Sequence, residues 1–284
     1  MQKISKLSLT VLTGLVLSAC GSSGGGDNND SSNTAVNVPV ADNMPQPTTP
    51  SQPNNPSNDN NRGYTPVVGN MPSNSSTGTV LVISNQDDDV LEKRVELHNS
   101  NTELLNVEGT EIRVGYKSSG IYSGTWLNMG LLSACCDKYS AVRFGVLDRN
   151  GPEVDSYMFY NGSPTASMPT SGTATYNGHA IIAGNTVQFD EHDWLKGTSQ
   201  FNVDFGAKKL NGSLNIDTLE AVNITADISG NSFAGAANSN SFPTKANVEG
   251  KFYGENAKEL GGMIRDVSNI GSDTSWGAVF GASQ

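Results

Sequence analysis

The sequence has no apolar run long enough to cross a bilayer. The stretch from Leu7 to Leu17 falls short of the about 20 residues that a spanning helix needs, and no other stretch is long enough. Positive charge is scarce: 17 Lys and Arg stand against 28 Asp and Glu, for a net charge of −11 at pH 7. A surface this acidic repels phosphate backbones and anionic headgroups, which sets nucleic acid aside as a partner. Three cysteines and three histidines are present, so metal or haem chemistry is confined to a few positions. Catalytic motifs are missing as well. There is no H-E-x-x-H and no P-loop, and Gly21-Ser22-Ser23-Gly24-Gly25 matches a nucleophile elbow with no strand before it. No enzyme is expected. Helical patterning is almost absent, and Glu255-Asn256-Ala257-Lys258-Glu259-Leu260 is the one stretch that looks like a helical turn.

What is present begins at the N-terminus. Lys3 and Lys6 precede the apolar run, and Leu17-Ser18-Ala19-Cys20 closes it. This is the layout of a lipoprotein signal peptide over residues 1–19, with lipidation expected at Cys20. Loss of Lys3 and Lys6 takes the net charge of −11 two units further negative. Several acyl chains on one cysteine anchor far better than one. Gly21, rather than Asp, follows the cysteine. The expected location is therefore the outer membrane, with lipid as the only membrane attachment.

Residues 20–77 are Ser, Gly, Asn, Asp and Pro with little else, as in Gln46-Pro47-Thr48-Thr49-Pro50-Ser51-Gln52-Pro53. Such a segment cannot bury enough surface to offset its ordering entropy, so a disordered tether is expected. A coil of that length spans about 40 Å.

From Thr79 onward the period is two. Phe201-Asn202-Val203-Asp204-Phe205, Leu210 to Ile216, Val222 to Ile228 and Ala246 to Phe252 alternate apolar and polar residues. These are half-buried strands, and turn residues separate them at the short intervals of an all-β barrel or sandwich. Gly206-Ala207-Lys208-Lys209 is the expected turn, since the alternation runs straight through Asn211-Gly212. Glycine follows the last phenylalanine of several strands, as in Phe205-Gly206, Phe252-Tyr253-Gly254 and Phe280-Gly281. Barrel closure needs aromatic filling and glycine at bends. Upstream, Val80 to Ile83, Glu111 to Tyr116 and Ala141 to Leu147 are strand candidates with weaker alternation, and Asn150-Gly151 is a hairpin signal before Val154 to Tyr160. A subdomain boundary is placed near Pro164–Pro169.

The stretch Phe159-Tyr160-Asn161-Gly162-Ser163-Pro164-Thr165, followed by Met168-Pro169-Thr170-Ser171-Gly172-Thr173-Ala174-Thr175-Tyr176-Asn177-Gly178, resembles the transferrin-binding-protein-B-like lipoproteins. Val203 to Leu210, Phe233 to Ala237, Gly250 to Gly254, Glu259 to Gly262 and Gly277 to Gly281 continue the likeness in order and spacing. The resemblance implies a β handle domain over 78–164, then an eight-stranded antiparallel β-barrel over 165–284. It also implies export by a Slam-type translocator to the cell surface. Relatives include factor H binding protein, hemophilin-type haem carriers and the NilC-type colonisation lipoproteins of nematode-associated bacteria, which the chain resembles in length and layout. The expected function is binding of a host-derived macromolecule in colonisation or nutrient acquisition, with haem capture as the alternative.

Candidate sites are few. Cys135 and Cys136 are adjacent in a chain bound for an oxidising compartment. A vicinal disulfide and two separate thiols are both open, and a soft-metal site lacks further ligands nearby in sequence. His98 is the candidate haem ligand, in a half that also holds Tyr116, Tyr122 and Tyr139, with a surface histidine beside Asn99 as the other reading. Glu191-His192-Asp193 and Asp87-Asp88-Asp89 read as polar loops rather than cation sites. Tyr116, Tyr122, Trp126 and Met129 lie in a glycine-rich, aromatic segment just before the cysteine pair, and are the candidate partner contacts. The same residues also fit a buried strand pair. No cofactor and no metal site are expected.

Overall fold

The computed structural model describes residues 70–86, 89–115, 126–136, 138–149, 154–189 and 192–284, with only the backbone of 85, 86 and 89. The signal segment, Cys20 and residues 20–69 of the tether lie outside the described residues, as do Asp87-Asp88, Tyr116, Tyr122, Asn150-Gly151 and Glu191. Among the described residues no helix is long and apolar enough to cross a membrane.

The strands are β1 (Gly78–Gln86), β2 (Asp89–Leu97), β3 (Leu104–Val107), β4 (Thr110–Arg113), β5 (Leu127–Met129), β6 (Leu132–Cys135), β7 (Val142–Leu147) and β8 (Ser156–Gly162) in the first half. The second half has β9 (Thr173–Gly184), β10 (Trp194–Asp204), β11 (Lys209–Asn215), β12 (Val222–Ser229), β13 (Ser232–Asn238), β14 (Ala246–Tyr253), β15 (Glu259–Arg265) and β16 (Trp276–Ser283). The chain is all-β, as its periodicity indicates. Strands β2-β1-β8-β7-β6-β5 form a six-stranded antiparallel handle sheet, and β3-β4 is a separate hairpin. Strands β9 to β16 pair in chain order, and β16 closes back on β9 to complete an eight-stranded antiparallel barrel.

The barrel's solvent side follows the sequence pattern directly. In β12, Val222, Ile224, Ala226 and Ile228 point inward, and Asn223, Thr225, Asp227 and Ser229 point to water. Each large aliphatic side chain buried this way stabilises the fold by about 1.5–3 kcal/mol. The interior holds a run of aromatics among aliphatic side chains, Phe201, Phe233, Phe252 and Phe280 among them. Their glycines matter for a reason beyond bends. Phe201 faces Gly212 across β10–β11, Phe233 faces Gly250 across β13–β14, and Phe280 faces Gly262 across β15–β16. A Cβ at Gly250 would overlap the Phe233 ring, so the ring lies over a strand that has no side chain there.

Two further cores flank the handle sheet. Val80 and Val82 of β1 point to an outer core roofed by Leu105, Val107 and Ile112 of the β3–β4 hairpin. Leu81, between them, points the other way, into a seam with Val142, Phe144, Met158 and Tyr160 of the handle and Ile181, Met263 and Val279 of the barrel. Gly281 lets handle and barrel approach, because a Cβ there would overlap Phe144. The expected turn after Phe205 forms, with Lys209 opening β11. The expected helical turn shrinks to a 3-10 turn at Glu255–Ala257, because Glu259 and Leu260 already pair with Tyr253 and Phe252.

Polar groups fasten the seam. The Glu259 carboxylate, 1% exposed, accepts from the backbone N–H groups of Ser140 (2.8 Å), Ala141 (2.8 Å) and Val142 (3.0 Å) and from the Ser140 hydroxyl (2.9 Å). Arg94 donates to both oxygens of Glu249 at 2.6 and 3.0 Å, and Tyr160 donates to the same carboxylate at 3.1 Å. Arg265 donates to Glu92 at 2.8 Å. The Tyr253 hydroxyl donates to the Thr77 carbonyl at 2.9 Å. Lys251 donates to the Ser73 carbonyl (2.9 Å) and the Ser232 hydroxyl (2.7 Å).

Candidate binding face and the handle–barrel cleft

Strand register gives the lobe a near and a far end. At one end, Gly78 pairs with Leu97, and Ser73 donates to Glu96. The chain therefore reaches β1 from the N-terminal side at this end. Nine residues of β1 carry it about 30 Å to the other. There the β5–β6 tip meets the β7–β8 connection, with Asp148 N–H donating to the Leu131 carbonyl at 3.0 Å. The β9–β10 and β15–β16 connections meet at the same end, where Trp276 pairs with Gly184 and Asn185 N–H donates to the Ser275 carbonyl at 3.0 Å.

Exposed large hydrophobics gather at this second end. Val187 is 68% exposed and Leu131 54%, and Val154, Val267 and Ile270 on neighbouring connections and Leu91 near the start of β2 join them. Among the described residues the exception is Met71, at the opposite end. Turn tips offer little burial to such side chains, and this end of the lobe is the more apolar of the two.

Between the tips lies a cleft of about 410 Å³, walled by handle and barrel together. Met158 of the handle and Trp194 and Trp276 of the barrel are among its lining residues, with Asp148 and Asp193 among its polar groups. Burial pushes the Asp148 carboxyl up from its ordinary range, a hydrogen bond from Ser156 opposes the shift, and the Asp193 charge adds to it. The Trp276 indole N–H is buried without an acceptor among the described residues. Apolar walls with carboxylates among them suit a cationic or hydrogen-bond-donating group better than an anion.

The residues singled out from sequence fall in several places. Trp126 and Met129 lie on opposite sides of the handle sheet. The Trp126 ring stands edge-on to Phe144 and His179, both at 5.9 Å, with Lys196 Nζ 4.6 Å from its centroid. Met129 packs on the outer core. Cys135 and Cys136 are buried in the seam with their sulfurs side by side. His98 is exposed at the N-terminal end, its Nδ1 3.3 Å from the Ser75 carbonyl, and the fold does not bring it to the cleft or to Tyr139. His192 and Asp193 are both exposed, and Asp193 lies at the rim of the cleft. Sequence reasoning passed over His179. It faces outward from β9, with Nδ1 3.2 Å from the Tyr139 hydroxyl and 3.9 Å from Cys136 Sγ. Burial pulls its imidazole below the ordinary range, and nearby Lys138 adds to that. Its one sequence signal was alternation with Asn177 and Ile181 along β9. Glu259 was missed too, for it sat in the stretch read as helical.

The family described as C-lobe and N-lobe beta barrels of Tf-binding protein B matches residues 168–284. An uncharacterized protein of Haemophilus influenzae is 40% identical over 304 aligned residues, covering 99% of each chain. Residues 168–284 of this chain carry a barrel domain of the transferrin-binding-protein-B type. Transferrin-binding protein B of Neisseria meningitidis serogroup B is 30% identical over 54% of this chain and 29% of its own length. The chain thus spans 29% of the length of that relative and 25% of transferrin-binding protein B of Neisseria meningitidis serogroup A. Among solved structures, a mutant transferrin-binding protein B of Haemophilus parasuis superposes with a TM-score of 0.54 at 26% identity, over 73% of this chain and 44% of that one. A surface lipoprotein superposes with a TM-score of 0.51 at 25% identity, over 73% of this chain and 98% of its own. The relatives that carry a name are transferrin-binding proteins and a surface lipoprotein.

Proposed function

We propose that this protein is a cell-surface lipoprotein of the outer membrane that binds a host-derived macromolecule in colonisation or nutrient acquisition. Lipid on Cys20 anchors it, residues 20–77 extend it, and the far end of the handle–barrel lobe makes contact. A Slam-type translocator delivers it to the surface, and a colonisation role of the NilC kind belongs to the same proposal. The observation that carries the proposal is the lobe's polarity. The chain arrives at one end of β1, and Leu131, Val154, Val187, Val267 and Ile270 gather at the other. Tethered side chains at the distal end are the first to meet anything approaching the cell. Binding, not turnover, is the activity this arrangement serves, and the family supports that reading.

The test displays the protein on cells and exposes them to host fluid. Retained proteins are then identified and their affinities measured with purified components. Leu131→Asp with Val187→Asp is expected to weaken capture by at least about tenfold, about 1.4 kcal/mol, with the melting temperature unchanged. Met71→Asp, at the anchored end, is expected to leave capture intact. Equal capture by all three proteins would place the contact elsewhere.

A further inference from the structure

We propose that Cys135, Cys136 and His179 form a redox-gated site for a thiophilic d10 cation, Cu(I) by preference, in the seam between handle and barrel. One donor atom from each of the three lies within 4.8 Å of the others. Tertiary structure alone assembles the set. Cys135 ends β6 and Cys136 follows it, while His179 projects from the outer face of β9 in the barrel. The cysteines are 0% and 1% exposed, and His179 is half-buried, so the imidazole is the side of the site that opens to water. The Trp126 and Phe144 rings form its apolar wall.

The donor set selects the ion. Two thiolates and one imidazole are soft or borderline ligands, which favour Cu(I) and Zn(II) over oxygen-seeking cations. A fourth protein ligand is not offered here. The neighbouring Tyr139 hydroxyl is held 3.2 Å from both the Gly281 carbonyl and His179 Nδ1. Structural Zn(II) takes four ligands, whereas a three-donor set suffices for Cu(I). Two thiolates on Cu(I) leave one net negative charge. Arg143, whose Nη1 donates to the Cys136 carbonyl at 2.6 Å, and Lys138, 5.7 Å from the Tyr139 ring centroid, place positive charge beside it.

The gate is the sulfur pair. With Cys135 and Cys136 joined, neither sulfur has a thiolate to give. Two molecules of a small thiol supply two electrons and two protons. The S–S bond breaks, the small thiols leave as their disulfide, and both cysteines become thiols. Cu(I) then displaces the two thiol protons to water and takes the sulfurs and the imidazole.

The test uses the full chain carrying Cys20→Ser, so that only the pair titrates. Oxidised chain, and chain reduced with dithiothreitol and desalted, are titrated without oxygen with Cu(I) against a chromophoric competitor. The reduced chain is expected to withdraw about one equivalent and the oxidised chain almost none. His179→Ala is expected to weaken binding at least about tenfold while the ion-free melting temperature holds. Cys136→Ser is expected to abolish binding; should that variant fail to fold, the oxidised chain is the matching control. A reduced chain that leaves all the Cu(I) with the competitor, or binding that His179→Ala does not weaken, overturns the proposal.

Discussion

Strands β8 and β12 are of similar length and are hydrogen-bonded in the same antiparallel fashion, yet they differ completely in how they meet water. In β12 every second residue is exposed. In β8 every residue from Tyr157 to Gly162 is buried. The difference comes from what lies against each strand. One face of β12 fills the barrel and the other faces solvent. The handle sheet is covered on both faces, by the hairpin and outer core on one side and by the barrel wall on the other. The same contrast divides the barrel itself, for β14 and β15 are buried almost throughout where the handle covers them. A covered strand loses its alternation, and its polar groups must find partners inside the protein.

That contrast should break first at Glu259. Glu259→Ala strips the acceptor from three backbone N–H groups and a hydroxyl in the seam. A loss of about 3 kcal/mol is expected, at the scale of buried donors left unpaired. Hydrogen exchange should show residues 140–147 losing protection while β12 keeps its own. Uniform loss across both would mean that the seam does not open separately from the barrel.

A smaller effect is expected from pH, through Lys251 of β14. Burial pulls its ammonium from an ordinary 10.5 to about 8, against the opposing pull of Glu96 and Glu249. Between those values the unfolded chain holds more protons than the folded one, so stability rises with pH from about 8 towards 10. Above about 10 the slope reverses, because burial keeps the Tyr160 and Tyr253 hydroxyls protonated beyond their ordinary 10.0. Urea denaturation at a series of pH values measures this, and Lys251→Met should flatten the rise. A slope that survives the substitution would assign it to another group.

The smallest effect belongs to the barrel's open face. Lys209 and Asp227 pair across β11–β12, both largely exposed. Lys209→Ala is expected to change stability by no more than about 0.5 kcal/mol, since solvent screens such pairs. A loss as large as that of Glu259→Ala would erase the distinction between covered and open strands.

The open barrel strands could be read almost residue by residue, because one buried face and one wet face impose a period of two. The turn at Gly206 could be read with them. The handle was harder to read, since double burial removes the period. The cleft and the seam were not readable. Asp148 meets Asp193, and Cys136 meets His179, across gaps in sequence that carry no local pattern. Trp126 and Met129 stood together in sequence and separated in space, since Trp126, just before β5, and Met129, at its end, are an odd number of residues apart along extended chain.

By itself, the order of apolar and polar residues determined an all-β chain, the run of barrel strands and the want of catalytic motifs. These follow from local geometry, from strand pleat and from the side-chain chemistry each site requires. Tertiary structure alone decided which glycine lies under which phenylalanine, which carboxylates share the cleft, and that a barrel histidine faces the handle's cysteines. Those pairings depend on how sheets close and dock, and contacts of that kind are set by burial across the whole lobe rather than by neighbours in the chain.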